Sequence, residues 1–387
     1  MDTTYHEDEE ITEETPEEDD SEDEAVNLLA IQLRYHATIV ELNEQVTEAF
    51  VGVDEDDEFY VHSRIESISL TQQFIQQIST ATLDDGTLDD EVVERLRDPE
   101  TGPVDIDADE HLSLKIFLGC QNASQATYGA VRDAILERFP GTNVLSYHLV
   151  KKLAASASGV VSVLDDMCIN SCQAFTGPLA DRTTCSECGE KRFIDSPVGK
   201  GPQPRQRACT IPLGPQIQAL CQARNNALAM RYRDQKTNKI LETDELTYDN
   251  LFSGSDYLEF AQRVHLGPHD TTVSFSLDGA QLYQNKKSDT WIAIWIINDY
   301  DPSTRYKKKH VLPALIIPGP NKPKNIDSFI FCSFHHLSAL QRENDGRGMY
   351  VWDNIQADHV LSRIIFLFGT ADALTEQWTL LCSTSMP

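Results

Sequence analysis

Basic residues are nearly missing from the first 110 positions of this 387-residue chain. Only Arg34, Arg64, Arg95 and Arg97 stand there, 4 of 32, against 35 of the 62 acids. That section carries a net charge of -31, whereas the remainder, with 27 acids and 28 bases, is balanced at +1. A basic footprint shows only in short patches, which argues against tight unaided binding to DNA by charge alone. Long apolar runs are lacking too. The longest, such as residues 291–297, fall far short of the ~18 to 20 residues that span a bilayer. The first residues are acidic rather than a basic stretch leading into an apolar one, so no secretory signal is expected. Nine cysteines are too few for a disulfide scaffold in a chain of this length. Their odd count in an intracellular setting points to thiols and a metal. The expectation is a soluble intracellular protein with no membrane partner.

The length predicts two or three domains. Residues 1–24 contain no Lys or Arg and almost no large apolar side chain, so they cannot offset their ordering entropy and are expected to be a disordered acidic tail. Such a tail either docks on basic proteins or simply solubilises the chain. Residues 25–110 read as an acidic helical region. Loosely helical spacing over 25–50 is followed by a helix over 63–79 with Ile65, Ile68, Phe74, Ile75 and Ile78 as its buried stripe, and by a short helix ending before Pro99. Residues 111–160 form a further helical region. After the apolar run 112–118 comes a helix capped by Ser124 that ends before Pro140, and another spans 144–153.

Residues 161–207 hold the strongest local motif. Cys168 and Cys172 are separated from Cys185 and Cys188 by a spacer of twelve residues. Two close thiol pairs, each on its own turn, are what a closed tetrahedral zinc site requires. The second half, Cys-x-x-Cys-Gly, has standard knuckle spacing, and the first has three intervening residues rather than two. Buried free cysteines are the competing reading. Lys191 and Arg192 follow directly and suit a surface near phosphate. The Pro-, Gly- and Arg-rich residues 195–207 read as a linker. Residues 208–270 read as a helical connector, with helices over 216–232 and 256–264, and Cys209 and Cys221 as structural thiols.

Residues 271–374 are the part around which the rest is arranged. Three strand-like runs over 272–279, 291–297 and 311–317, a helix over 326–342 and a last apolar run over 360–368 follow in order. Three strands, a helix and one more strand is the order of a ribonuclease H-like core. If the last strand returns beside the first, Asp278 and Asp372 face each other across a gap suited to bridging divalent cations. Asp299, Asp301 and Asp353 are other acids near element ends. An Asp followed by Gly after a strand is also a common turn former. His265 with His269, and the adjacent His335 and His336, do not read as a site. Lys307, Lys308 and Lys309 suit either phosphate or an exposed turn.

Four segments in one order carry a family resemblance: Cys185-x-x-Cys188-Gly-x-x-Arg-Phe, Cys209-Thr-Ile-Pro-Leu-Gly-Pro-Gln, Phe275-Ser-Leu-Asp278-Gly, and Leu315-Ile-Ile-Pro-Gly-Pro-Asn321. Together, over about residues 124–374, they resemble the transposases of CACTA-type (En/Spm-class) DNA transposons. The resemblance implies an α/β or α+β protein with a structural Zn2+ held in a zinc-ribbon-like element by Cys168, Cys172, Cys185 and Cys188. It implies an incomplete ribonuclease H-like core behind that element, with Asp278 and Asp372 as catalytic ligands of Mg2+ or Mn2+. DNA at transposon ends is the implied partner, cut and rejoined in the nucleus. Such cores use a third carboxylate further downstream. The sequence runs only fifteen residues past Asp372, and Glu376 is its only acid there. Residues 375–387 do not follow the family pattern, so a truncated and inactive transposase is expected. The alternative is a non-enzymatic DNA- or protein-binding module derived from a transposable element.

Overall fold

The computed structural model describes residues 64–102, 104–195, 201–243, 249–281 and 289–371. The chain divides between His62 and Ser63, and every described residue lies in the second unit. The acidic tail 1–24, the helix expected over 25–50, Asp372 and residues 375–387 lie outside the described residues.

Five helices open the described chain. The first, α1 (Glu66–Ser79), packs on a long helix introduced below through Phe74, whose ring lies 5.5 Å from that of Phe331. Ile75 and Ile78 join this contact as half-buried neighbours. The stripe expected for this helix is shorter than its pattern suggested, because Ile65 and Ile68 remain 59% and 44% exposed. Its first turn runs past the partner helix and lines an open cleft instead. In α2 (Asp90–Arg97) the acids sit in the first turn and the arginines in the last, complementing the helix dipole, while Val93 and Leu96 are buried.

The apolar run 112–118 lies inside α3 (Ala108–Gly119), which starts on a capping box formed by Asp107 and Glu110. Ser124 caps α4 (Gln125–Arg138), as its position predicts. Next, α5 (Tyr147–Ser158) begins three residues later than expected, because Ser146 is its cap and the carbonyl of Val144 is taken by Arg132 Nε at 2.9 Å. Phe117, Tyr128 and Tyr147 hold these three helices together with ring centroids 5.5 to 6.3 Å apart.

Two strands follow that the sequence reading did not foresee: β1 (Val163–Met167) inside the zinc-ribbon-like element, and β2 (Gln206–Thr210) across the boundary between the linker and the helical connector. Between β2 and the next strand lie α6 (Leu213–Gln222), α7 (Arg224–Ala229), α8 (Tyr232–Thr243) and α9 (Ser255–Arg263). The single helix expected over 216–232 is therefore three, broken where Ala223 takes an extended conformation and again before Tyr232.

The remaining elements are β3 (Thr271–Gln281), β4 (Asp289–Ile297), α10 (Pro302–Arg305), β5 (Val311–Ile317), α11 (Ile326–Gly346), β6 (Met349–Asp353), β7 (Asp358–Ser362) and β8 (Ile364–Ala371). Regular helix in α11 stops before Glu343, which agrees with the end expected at residue 342. The apolar run 360–368 is not one strand. Its start belongs to a β6–β7 hairpin and its end to β8. Gly348 permits that hairpin, since a Cβ there would sit 2.1 Å from the carbonyl oxygen of Ser362.

Six strands form one sheet in the order β1-β2-β5-β4-β3-β8. All neighbours are antiparallel except β3 and β8, which run parallel from Thr271 with Ile364 to Leu277 with Ala371. α11 covers one face. Phe275, Trp295, Phe334 and Phe366 meet there with centroids 4.7 to 6.4 Å apart, the centre of the main core. On the other face, strand register lines up Leu164, Cys209, Ile316, Ile292 and Asp278 in one row across five strands. Leu164 and Ile316 remain 54% and 38% exposed in it.

Candidate functional site

The four motif cysteines come together. β1 ends at Met167, and a tight turn closed by the Met167–Ala174 bridge carries Cys168 and Cys172. Its turn bonds run from Ser171 N to Cys168 O at 2.8 Å and from Cys168 N to Gln173 O at 2.9 Å. The extra residue of the Cys-x-x-x-Cys half is absorbed at Ser171, which is left-handed at φ 56°. A second turn, closed by the Thr184–Lys191 bridge, carries Cys185 and Cys188 and turns at Gly189, φ 74°.

All four sulfurs lie within 4.8 Å of one another, and Cys168 Sγ is 3.4 Å from Cys188 Sγ. A tetrahedral zinc ion with bonds of about 2.3 Å needs sulfurs roughly 3.8 Å apart, so the set fits that ion closely. Cys168, Cys172 and Cys185 are buried, and Cys188 is exposed. Burial pushes the Cys172 thiol well up and that of Cys185 to about 12. Burial acts upward on Cys188 as well, but the backbone at Glu190, the Cys168 thiol and the Asn170 amide outweigh it and bring the group down to about 7. Thiols that resist ionisation, as those of Cys172 and Cys185 do, become good ligands only when a cation compensates their charge. The amide N–H of Asn170 points at Cys168 Sγ from 3.4 Å and the Asn170 side chain at Cys188 Sγ from 3.7 Å, the donors such a thiolate set needs.

The first knuckle is docked on the turn after β5. Ser171 Oγ donates to the carbonyl of Pro318 at 2.9 Å, and Asn321 Nδ2 donates to that of Asn170 at 3.1 Å. The backbone N–H groups of Lys324 and Asn325 both donate to Cys172 O, at 3.0 and 2.9 Å. Gln206 Nε2 adds a bond to Gly319 O at 2.7 Å. Arg192 is used internally: it pairs with Asp166 at 2.8 Å and stacks on Phe175 and Phe193 at 5.0 and 4.9 Å. Lys191 pairs with Asp195 at 2.8 Å. Neither has the free charge expected of a phosphate contact.

Asp278 lies at the same end of the sheet. Met167 pairs with Gln206, Trp291 with both Gly279 and Ile317, and Leu277 with Ala371, so this edge gathers the carboxyl ends of β1, β3, β5 and β8. The Asp278 side chain is exposed on the face away from α11, and its Oδ1 accepts from the N–H of Gly279 at 2.7 Å. Gly279 leaves room for the Trp291 ring: a Cβ there would lie 3.0 Å from Trp291 Cε2, a tight contact.

The other acids near element ends are occupied by the fold. Asp299 is buried against Arg233, 2.7 Å from its Nε, and also accepts from Thr272 N and Oγ1 at 2.6 and 2.8 Å. Burial raises its carboxyl above the usual range, against the pull of Arg233. Asp353 pairs with Arg231, with His269 3.5 Å away. Asp301 caps α10 by accepting from Ser303 N at 2.8 Å. Of the histidines, His336 is buried and its Nε2 accepts from Gly214 N at 3.1 Å, while His335 pairs with Asp85 at 3.2 Å.

The sequence reading places a strand at 291–297 and a strand with its turn at 315–321, but misses Lys322 and the docking of that turn on the thiol knuckle. The available signal was the crowding of Pro318, Pro320 and Pro323 around two lysines. No family model matches the chain, and no curated protein matches it. No helix among the described residues is long and apolar enough to cross a membrane.

Proposed function

We propose that this is a DNA strand-transfer protein of the lineage its motifs resemble, the CACTA-type transposases. In this reading the four thiols hold a structural zinc ion. Asp278 and Asp372 hold Mg2+ or Mn2+ on a ribonuclease H-like core, and the protein acts on DNA in the nucleus. The observation that carries the reading is topological. β5, β4 and β3 run antiparallel in that order, and after α11 the chain returns as β8, parallel to β3. That is the order expected of such a core, with the β6–β7 hairpin inserted. Beyond the pair Leu277 and Ala371, the next residue in sequence is an aspartate in both cases: Asp278, which is still in β3, and Asp372, which lies outside the described residues.

The state of Asp278 supports the same reading. It is exposed at that edge and has no ion pair among the described residues, so it is open to a cation. Divalent ions bound by two such carboxylates stabilise the attacking and leaving oxygens of a phosphodiester, which is worth several kcal/mol in the barrier. A second reading, a non-enzymatic DNA- or protein-binding module, is favoured by one fact. Among the described residues the four thiols are the one group of three or more metal-binding side chains, and Asp278 stands outside it.

Nicking of supercoiled DNA in Mg2+ or Mn2+ separates the two. Metal-dependent nicking that Asp278→Asn abolishes is expected. Equal nicking by that variant would remove Asp278 from the site, and salt-sensitive binding without any nicking would favour the module.

A further inference from the structure

We propose that the turn after β5 is a contact for the DNA backbone, with Lys322 as its principal phosphate ligand and Lys324 as a second, and that the thiol knuckle positions it. This rests on the DNA-binding part of the reading above and names the surface through which it acts.

Both lysines are exposed, and neither has an ion pair among the described residues. That sets them apart from most other cations near this edge, Arg182 on the same cleft as Lys324 excepted. Arg192 and Arg207 share Asp166, Arg205 is held by Glu190, and Lys191 by Asp195. A cation already neutralised releases little on meeting a phosphate, whereas a free one displaces condensed counterions and gains their entropy.

The turn is also rigid. Pro318, Pro320 and Pro323 fix three of its φ angles, and Pro323 is buried. Four hydrogen bonds from the turn or to it tie residues 318–325 to the Cys168–Cys172 knuckle. Lys322 Nζ lies 5.3 Å from the centre of the Trp291 ring, and that ring packs over Gly279, the residue after Asp278. The ammonium is therefore held at the same end of the sheet as Asp278, beside a ring that belongs to the α11 face, and ordering it on DNA costs less than ordering a free lysine. Lys324 opens on a cleft of about 600 Å³ that Glu66, Glu187 and Asp327 line together with Arg182, three acids to two cations, so its share is the smaller.

The molecule supplies its own control. Lys307, Lys308 and Lys309 are equally exposed and more basic as a run, but they follow β4 and precede β5, at the opposite end of the sheet. Lys308 is tied there to Asn122 Oδ1 at 2.8 Å. Net charge favours the three-lysine run, and geometry favours the turn.

The test is binding of the full chain to a fluorescein-labelled, mixed-sequence duplex, followed by anisotropy as KCl is varied. Replacing Lys322 and Lys324 together by Ala is expected to weaken binding roughly 10-fold near physiological salt and to flatten the log–log salt slope by about 2, with Lys322→Ala giving the larger part. Zinc content and the thermal midpoint of the variant should match the parent, because both side chains are exposed. Lys307→Ala with Lys309→Ala should leave the slope unchanged. An unaltered slope in the Lys322 and Lys324 variant, or an equal loss from the 307 and 309 pair, would overturn the assignment while leaving DNA binding intact. Failure of the parent chain to bind the duplex at any salt would overturn the DNA reading itself.

Discussion

The two ends of the six-stranded sheet treat their acids in opposite ways. At the end where β4 runs into α10, buried acids are locked to arginines, while Lys307, Lys308 and Lys309 are exposed on the turn there. Asp299 with Arg233, Asp353 with Arg231 and Asp270 with Arg363 are paired across α8, β3, β6 and the start of β8. At the other end Asp278, Lys322 and Lys324 stand exposed and unpaired among the described residues, beside four thiols that fit a metal. Carboxylates are present at both ends, so their number says nothing about function. What differs is whether the fold has already used them. A buried pair holds elements in place, whereas an unpaired exposed acid meets solvent and is open to a ligand.

Cys168→Ser should abolish stoichiometric zinc and lower unfolding stability by more than about 4 kcal/mol, read by metal analysis and urea denaturation. A zinc-free parent of full stability would contradict the assigned role of the thiols. Arg233→Met should cost about 3 to 5 kcal/mol, because it leaves Asp299 buried without its cation. A loss below 1 kcal/mol would show that the far-end network is not structural.

The next effect depends on pH. Burial, aided by the neighbouring His335 and opposed by Asp85, holds His336 down to about 3, from an ordinary value of 6.5. The unfolded chain takes up this proton below about 6.5, and the folded chain does not until about 3. The contribution is thus fully present above about 6.5 and is lost as pH falls through that window, at up to ~1.4 kcal/mol per pH unit. Urea midpoints at several pH values should show a slope that His336→Gln reduces. The smallest effect is that of Asp278→Asn, whose side chain meets only the following N–H. Stability should stay within about 0.5 kcal/mol of the parent. A large loss would place Asp278 with the structural acids of the other end.

How much of this was legible depended on whether the signal was local. β3, β4 and β5 declare themselves by dense β-branched and aromatic residues, and α11 by its length and by Asn325 at its cap. The thiol cluster is readable because two short spacings almost dictate it. β1 was not, since Val163-Leu-Asp-Asp-Met has two acids in five residues, and its neutralising partners Arg192 and Arg207 are distant in sequence. It is an edge strand, where charges protect against unwanted pairing. The breaks between α6, α7 and α8 carry no Gly or Pro at Ala223 or Arg231, so tertiary packing sets them. The docking of the knuckle on residues 318–325 was equally hidden. It is made largely through backbone carbonyls about 150 positions away, which no spacing rule reports.

One measurement tests directly the claim that a catalytic cation belongs to the Asp278 end. Fe2+ can replace Mg2+, and ascorbate with peroxide then cuts the polypeptide near the bound ion. The cuts should cluster at the carboxyl ends of β3 and β8 and disappear in Asp278→Asn. Cuts at Asp299 and Asp353, or a pattern unchanged by that substitution, would contradict the account.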